Sequence, residues 1–378
     1  MPEIWLRYGT TDIALDIRFE NLYKEITPQV FPLQEDQINY RLQDVPVKDN
    51  TLIIVFSCTL ATKRVLSSLI DKVTNNGASG KIMSPPKLKE SINIGNEKWI
   101  SNSLNCEDFG TLKETMDKFD QTLFVTHSAY DPLFGFEGTP THLLRNYMKD
   151  KMIEAISSRS SNMPSPGNFS EPYRLALSLC EDIDAVSIEL LGNSNQIADI
   201  CWGSINDTFR YTSSKLTEKP NIEPQRVKSE IISPGREPFY HSTLSESLNS
   251  LWNCMGILGR NGSPILLSES RNGLGSRALE MFVEKKLPNS MSPNEGKYID
   301  GQEHLIFLEA TREKYNLGIV STLPEYYLTT KLGFQTYASL KQALASLLTR
   351  HGKTHKVALF SDAHFTLPLI DSNSKDEI

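Results

Sequence analysis

The segment DNTLIIVFSCTLATKRVLSSLIDKV, around Asn50, passes from an unbroken apolar run to apolar residues spaced three and four apart. That change of period predicts a buried strand feeding an amphipathic helix. A second strand is predicted at QTLFVTHS, Gln121 to Ser128, and YRLALSLCEDIDAVSIELLGNSNQIADICWG reads as helix, strand, turn and strand. KMIEAISSRSSNMPSPGNFSE, Lys151 to Glu171, is rich in Ser, Pro and Asn and predicts a loop. Apolar periodicity vanishes again in TSSKLTEKPNIEPQRVKSE, Thr212 to Glu230, which reads as a domain break. Beyond it the chain predicts a helix (STLSESLNSLWNCMGIL), a strand (SPILLSES), a glycine-rich turn (RNGLGS) and a helix (RALEMFVEKK). From Asn316 follow strand NLGIVST, helix SLKQALASLLTRHG and strand KVALFSDA. Strands alternating with helices predict two α/β domains with mainly parallel sheets, joined near residue 225.

Composition narrows the partners. A chain of 378 residues exceeds one typical domain, and its net charge of -7 opposes the phosphate contacts that a nucleic-acid binder makes through Lys and Arg. No run approaches the ~20 apolar residues that span a bilayer, and MPEIWLRYGTTD lacks the apolar core of a signal peptide. The expectation is a cytoplasmic protein with no membrane and no nucleic-acid partner. Its five cysteines, Cys58, Cys106, Cys180, Cys201 and Cys254, form no CxxC pair and read as buried free thiols.

Three stretches carry candidate chemistry. RNGLGS, Arg271 to Ser276, lies between a strand and a helix, where Gly273 and Gly275 either let backbone N–H groups approach an anion or close a tight turn. His351 and His355 in RHGKTHK are four apart, the spacing of a metal pair on one helix face, but Gly352 and the nearby helix end favour a solvated turn. In DPLFGFEGTPTHLLRN, Asp131 to Asn146, a Gly-Phe-x-Gly turn runs into an apolar segment, and His127, Asp131 and His142 can converge on one pocket as acid–base groups. His241, His304 and His364 have no partner at a telling spacing, and no GxSxG, HExxH or Cys–His signature is present.

Six stretches together carry a resemblance that runs nearly end to end: LRYGTTDIALDI, IIVFSCTLATKRVLSSLI, DPLFGFEGTPTHLLRN, GREPFYHSTLSESL, LGRNGSPILLSESRNGLG, and GIVSTLPEYYLTTKLGFQTYASLKQALASLL through KVALFSDAHFTLP. In this order they resemble the nickel-dependent lactate racemase (LarA-like) family. The resemblance implies two α/β domains with a cleft between them, 1–224 and 225–355, with the closing segment 356–378 rejoining the first. It also implies a nickel-pincer pyridinium mononucleotide tethered through a lysine. In the mechanism ascribed to the family, a histidine takes the hydroxyl proton of a 2-hydroxy acid while the cofactor accepts the α-hydride.

The working positions depart from that pattern. With Gly135, Phe136 and Gly138 set on the family's loop, Thr141 stands at the tethering lysine and Asp131 at a catalytic histidine. Ser84 or Pro85 stands at the other histidine, SCTLATK lacks the family's Asp and Arg, and Ser245 and Leu248 replace a Gln and a Lys. No histidine lies between Leu143 and Tyr240 to serve as a downstream nickel ligand. One positioned acid–base group is worth roughly 10²–10⁴ in rate, and both are replaced. The expectation is therefore a diverged racemase-like protein with no pincer cofactor and no metal, holding a small acidic metabolite or nucleotide in the cleft. Gly135, Phe136, Gly138, Thr141, Gly273 and Gly275 are the expected ligand-facing positions. The alternative is an active 2-hydroxy-acid racemase or epimerase, or another enzyme using His127, Asp131 and His142. The sequence names no oligomeric state.

Overall fold

The computed structural model of the chain describes residues 3–92, 99, 102–159, 164–287 and 298–371. The end of the segment expected to rejoin the first domain, 372–378, lies outside the described residues. In chain order the first strands are β1 (Glu3–Tyr8), β2 (Thr11–Asp16), β3 (Leu22–Ile26), β4 (Asn50–Val55), β5 (Ser79–Ser84) and β6 (Asn102–Ser103). Then come β7 (Gln121–His127), β8 (Ala129–Asp131), β9 (Gly135–Glu137), β10 (Val186–Gly192), β11 (Ile197–Ser204) and β12 (Asn221–Glu223). The last are β13 (Val227–Ile232), β14 (Leu258–Leu267), β15 (Gly318–Val320), β16 (Gln335–Tyr337), β17 (Val357–Phe360) and β18 (Pro368–Ile370). Helices α1 (Glu35–Leu42), α2 (Leu60–Asn75), α3 (Phe109–Met116), α4 (Thr139–Tyr147), α5 (Lys149–Ser157) and α6 (Glu171–Leu179) occupy the first half. They are followed by α7 (Ile205–Thr217), α8 (Phe239–Ser242), α9 (Leu244–Cys254), α10 (Arg277–Val283), α11 (Gln302–Arg312) and α12 (Leu340–His351).

The chain divides into two compact units. An inserted unit comprises Val30–Arg159 and Gly167–Lys219, and a terminal unit comprises Met1–Gln29, Ser160–Pro166 and Pro220–Ile378. The inserted unit is built on a six-stranded sheet in the order β11-β10-β7-β4-β5-β6, parallel except where β10 meets β11. The apolar run of β4 has water on neither face, which is why it reads as unbroken hydrophobic sequence rather than as an alternation. Leu52, Ile54 and Phe56 pack with Phe124 of β7, Leu112 of α3 and Leu143 of α4. From β4 the chain moves outward to β5 and β6, then crosses back to add β7 and β10 on the other side. The strand order thus reverses between β4 and β7, and in such sheets ligands sit outside the carboxyl ends of the strands at that reversal.

The terminal unit has its own six-stranded sheet, β16-β15-β14-β13-β17-β3, parallel throughout. On one face the β1–β2 hairpin supplies Ile4, Leu6, Leu15 and Ile17, and α12 supplies Leu340, Ala343 and Leu347, to a core with Ile231, Ile265 and Leu359. No helix among the described residues is long and apolar enough to cross a membrane.

Two expectations change. β3 pairs with β17 and β17 with β13, so both ends of the chain build the terminal unit, in place of an expected 1–224 domain rejoined by 356–378 and a separate 225–355 domain. Periodicity locates each strand but carries no information about which distant strand lies beside it. The stretch expected to be a loop from Lys151 begins inside α5, because Met152, Ala155 and Ile156 are spaced to bury one helical face despite the serines that follow. The expected break at Thr212 to Glu230 contains a boundary between the units, at Lys219 and Pro220, and the stretch also holds the end of α7 and strands β12 and β13.

One residue in the terminal sheet opposes folding. Glu230 of β13, opposite Pro264 and Ala358, is fully buried, and neither carboxylate oxygen has a hydrogen-bond partner. Burial pushes its carboxyl well above the ordinary glutamate value of 4.5, so the folded protein holds it protonated beyond the range where the unfolded chain ionises. The penalty linked to its charge is absent below the unfolded value and grows as pH rises toward and through the folded one. Glu230→Met is expected to raise unfolding free energy at pH 8 by roughly 1–3 kcal/mol and to flatten its alkaline decline, measured by denaturant titration across pH.

Candidate functional site

At the reversal between β4 and β7, the turn after β4 carries Ser57 and Thr59 and the end of β7 carries His127. Thr59 caps α2, its hydroxyl accepting from the Thr62 backbone N–H at 3.1 Å. The same hydroxyl lies 2.9 Å from His127 Nδ1 and 2.8 Å from the Thr62 hydroxyl. Ser57 Oγ receives the His127 backbone N–H at 3.0 Å and contacts Thr62 Oγ1 at 2.8 Å. A histidine, three hydroxyls and a helix N-terminus are therefore linked at one strand edge, where Ser84, ending β5, also emerges. All of these side chains are buried. Such a group of donors suits an oxygen-rich anion better than a metal cation.

The neighbouring loop, Gly135 to Gly138, leads into α4. Gly135 has φ +90°, and a Cβ there would meet the Asn168 carbonyl oxygen at 1.9 Å. A Cβ on Gly138 would meet the Phe209 ring at 2.4 Å. Both glycines are required by close packing within the unit, and Phe136 is packed against Phe169, Tyr173 and Tyr130 in an aromatic cluster. Thr141 is buried, and its hydroxyl accepts from Gly138 N at 3.0 Å and donates to Gly138 O at 2.9 Å. It thereby satisfies a donor at the start of α4.

The same helix end receives a carboxylate from below. Glu189 of β10 is fully buried, and its Oε1 accepts from the Thr139 backbone N–H at 2.9 Å. Its Oε2 accepts from Ser128 Oγ at 2.9 Å and from Thr212 Oγ1 at 2.6 Å. Burial pushes the Glu189 carboxyl upward, opposed by the hydrogen bonds from Thr212, Thr139 and Ser128.

Among the described residues, the candidates His127, Asp131 and His142 do not hydrogen bond to one another. Asp131 Oδ1 accepts the backbone N–H groups of Leu133 and Phe134 at 2.8 and 2.7 Å, and Oδ2 pairs with Arg145 at 2.8 Å. The Arg145 guanidinium also lies over the Phe134 ring, 4.9 Å from its centroid. With both oxygens engaged, Asp131 stabilises the turn between β8 and β9. His142 sits elsewhere on α4, with Nε2 2.9 Å from Glu137 Oε1 and its ring stacked on Phe56 at 5.2 Å. That pair is partly exposed, unlike His127.

Gly273 and Gly275 belong to the terminal unit, in the loop between β14 and α10, both at positive φ. A Cβ on Gly275 would meet Thr243 at 2.3 Å, so this loop lies tightly on the start of α9, whereas Gly273 has open space beside it. Among the described residues no group of three or more His, Cys, Asp or Glu side chains is placed to hold a metal ion.

Glu189 and Glu137 were missed in the sequence. The signal for Glu189 was present: one carboxylate in the middle of the apolar strand VSIELLG must find partners or remain neutral. Glu137 left no such signal, since its meeting with His142 depends on the angle between β9 and α4.

No family model matches the sequence, and no curated protein matches it. Among solved structures, the chain is similar to the lactate racemase apoprotein from Thermoanaerobacterium thermosaccharolyticum, with a TM-score of 0.72 and 13% identity over 97% of this chain and 100% of that one. It is also similar to a structural-genomics protein from Thermotoga maritima, with a TM-score of 0.63 and 11% identity over 90% of this chain and 99% of that one. At such identities the likeness is one of fold.

The cap formed by Thr141 predicts a stability cost with no change of fold. Thr141→Ala is expected to destabilise the protein by about 1 kcal/mol, read from denaturant midpoints, whereas Thr141→Ser retains most of the cap.

Proposed function

We propose that the chain is a lactate-racemase-fold protein without nickel-pincer racemase chemistry, which binds a small acidic metabolite or nucleotide at the carboxyl edge of the inserted unit's sheet. The observation that carries this reading is the state of Thr141. The racemase-like resemblance puts a tethering lysine at this position, and here a buried hydroxyl is bonded on both sides to Gly138. A hydroxyl offers no amine to form the linkage, and the helix end beside it already holds the Glu189 carboxylate. The residues at this position do not fit the pincer cofactor.

Ligand binding is supported by the place of the hydroxyl cluster. Ser57, Thr59 and Thr62 offer rotatable O–H donors beside the start of α2, at the strand reversal where ligands of such sheets collect. Helix N-termini favour negative charge, which suits a carboxylate or a phosphate.

A second reading rests on one contact. His142 Nε2 and Glu137 Oε1 lie within ion-pair distance without a hydrogen bond between them, a partly exposed imidazole beside a carboxylate that is suited to acid–base work. In that reading His142 moves a proton on a bound substrate, and Asp131 and His127 position the surrounding turns.

Production of the protein alongside the cofactor-maturation proteins tests the main reading. The intact mass is expected to equal that of the unmodified chain, nickel to be far below one per chain, and D- and L-lactate to remain unconverted. A stoichiometric adduct with lactate interconversion would overturn it. Thermal-shift screening of carboxylates and nucleotides tests the binding part, with stabilisation of about 2.7 kcal/mol expected at a hundredfold excess over Kd. If the screen finds turnover that His142→Asn abolishes and Asp131→Asn spares, the second reading replaces the first.

A further inference from the structure

The N-terminal edge of the terminal unit's sheet gathers basic side chains. Ser229 of β13 and Ser263 of β14 face each other in register on adjacent parallel strands. His355 Nε2 lies 2.6 Å from Ser229 Oγ, and His351 Nε2 lies 3.0 Å from Ser263 Oγ. The two imidazoles are in contact, with ring centroids 4.8 Å apart. Arg350 reaches the same place, its NH1 at 3.4 Å from Ser263 Oγ and its NH2 at 2.9 Å from Gln335 Oε1. The segment is held from behind by buried Asn21, whose amide donates to the Lys353 and His355 carbonyls at 2.7 and 3.0 Å. Lys353 and Lys356 flank it on the surface.

The charges acting on these rings are all of one sign. Burial holds the His351 ring below its usual range, with the Arg350 and Lys228 charges acting in the same direction. For His355, burial together with His351 and Lys228 brings the value down to about 4. Among the described residues no carboxylate is among the groups that shift them, in a protein whose net charge is -7. Two partly exposed imidazoles and the Arg350 guanidinium are thus placed together over two buried hydroxyls, and burial together with the neighbouring cations keeps the rings from charging. An anion of two negative charges offsets those cations and offers acceptors to the imidazole and guanidinium N–H groups on the exposed side. A transition-metal ion at the same rings would instead add to the positive charge.

We propose that the His351–His355 cluster is a proton-coupled binding site for a tetrahedral dianion, either phosphate or a phosphate monoester. It lies at the opposite end of its sheet from the glycine loop and does not depend on the functional reading above. Binding draws protons onto the imidazoles, so affinity rises as pH falls through the range where the free rings are neutral and the bound rings charged.

Sulfate is the primary probe, because it remains a dianion throughout this range, with inorganic phosphate and phenyl phosphate in parallel. Histidine ring resonances of the full chain are followed by NMR at constant ionic strength in chloride. Saturable shifts confined to His351 and His355 are expected, with sulfate affinity about tenfold or more tighter at pH 5.5 than at pH 7.5. Arg350→Gln and Lys228→Gln are each expected to weaken binding severalfold while leaving thermal unfolding near that of the parent. Phenyl phosphate binding as tightly as phosphate assigns the site to an ester, and tighter phosphate binding assigns it to the free ion. Equal shifts with chloride, affinity that does not change with pH, or binding of zinc but not sulfate at these rings would each overturn the proposal.

Discussion

A carboxylate buried in a protein interior must be matched by donors, and in the inserted unit Glu189 sets that requirement. Its two oxygens accept from Thr139 at the start of α4, Ser128 just beyond β7 and Thr212 of α7. Three elements that approach the sheet from different directions are fixed by one side chain. Hydrogen bonds to a charged group are worth about 1.5–3 kcal/mol net, and removal of one partner leaves a larger penalty behind. The glycine loop before α4 is packed onto this arrangement, with Gly138 against both Phe209 and Glu189 Oε1.

The consequence for chemistry is local. A helix N-terminus in an open site attracts the anion of a ligand, but at α4 that place holds the protein's own carboxylate and the Thr141 cap. The helix start with a linked hydroxyl cluster is α2, where Thr59 touches His127. In the inserted unit, polar groups near the strand ends are thus engaged in packing and capping. Asp131 is one such group: its oxygens serve the turn and Arg145.

The terminal unit handles its buried charge differently. Glu230 has no donors and is held neutral by burial, whereas the histidines at the sheet's N-terminal edge are held neutral by burial and neighbouring cations. Both cases keep an ionisable group uncharged at a cost to stability. They differ in access: Glu230 is sealed in the core, while His351 and His355 are partly exposed and can be relieved by a ligand.

Sequence by itself determined the elements whose periodicity is strong: β4 and α2, β7, β10 and β11, α9, α12 and β17. It also determined the identity of the side chain at position 141, and with it the absence of an amine there. Local pattern could do this because strand and helix periods are properties of neighbouring residues. Only the tertiary structure decided that β3 and β17 lie together, that the unit containing Thr141 is an insertion between the ends of the other, and that Asp131 faces Arg145 rather than His127. It likewise decided that His351 and His355 meet beside two serines from separate strands. Each of those facts depends on contacts between residues far apart in the chain, fixed by burial and sheet register, to which periodicity in a single segment is blind.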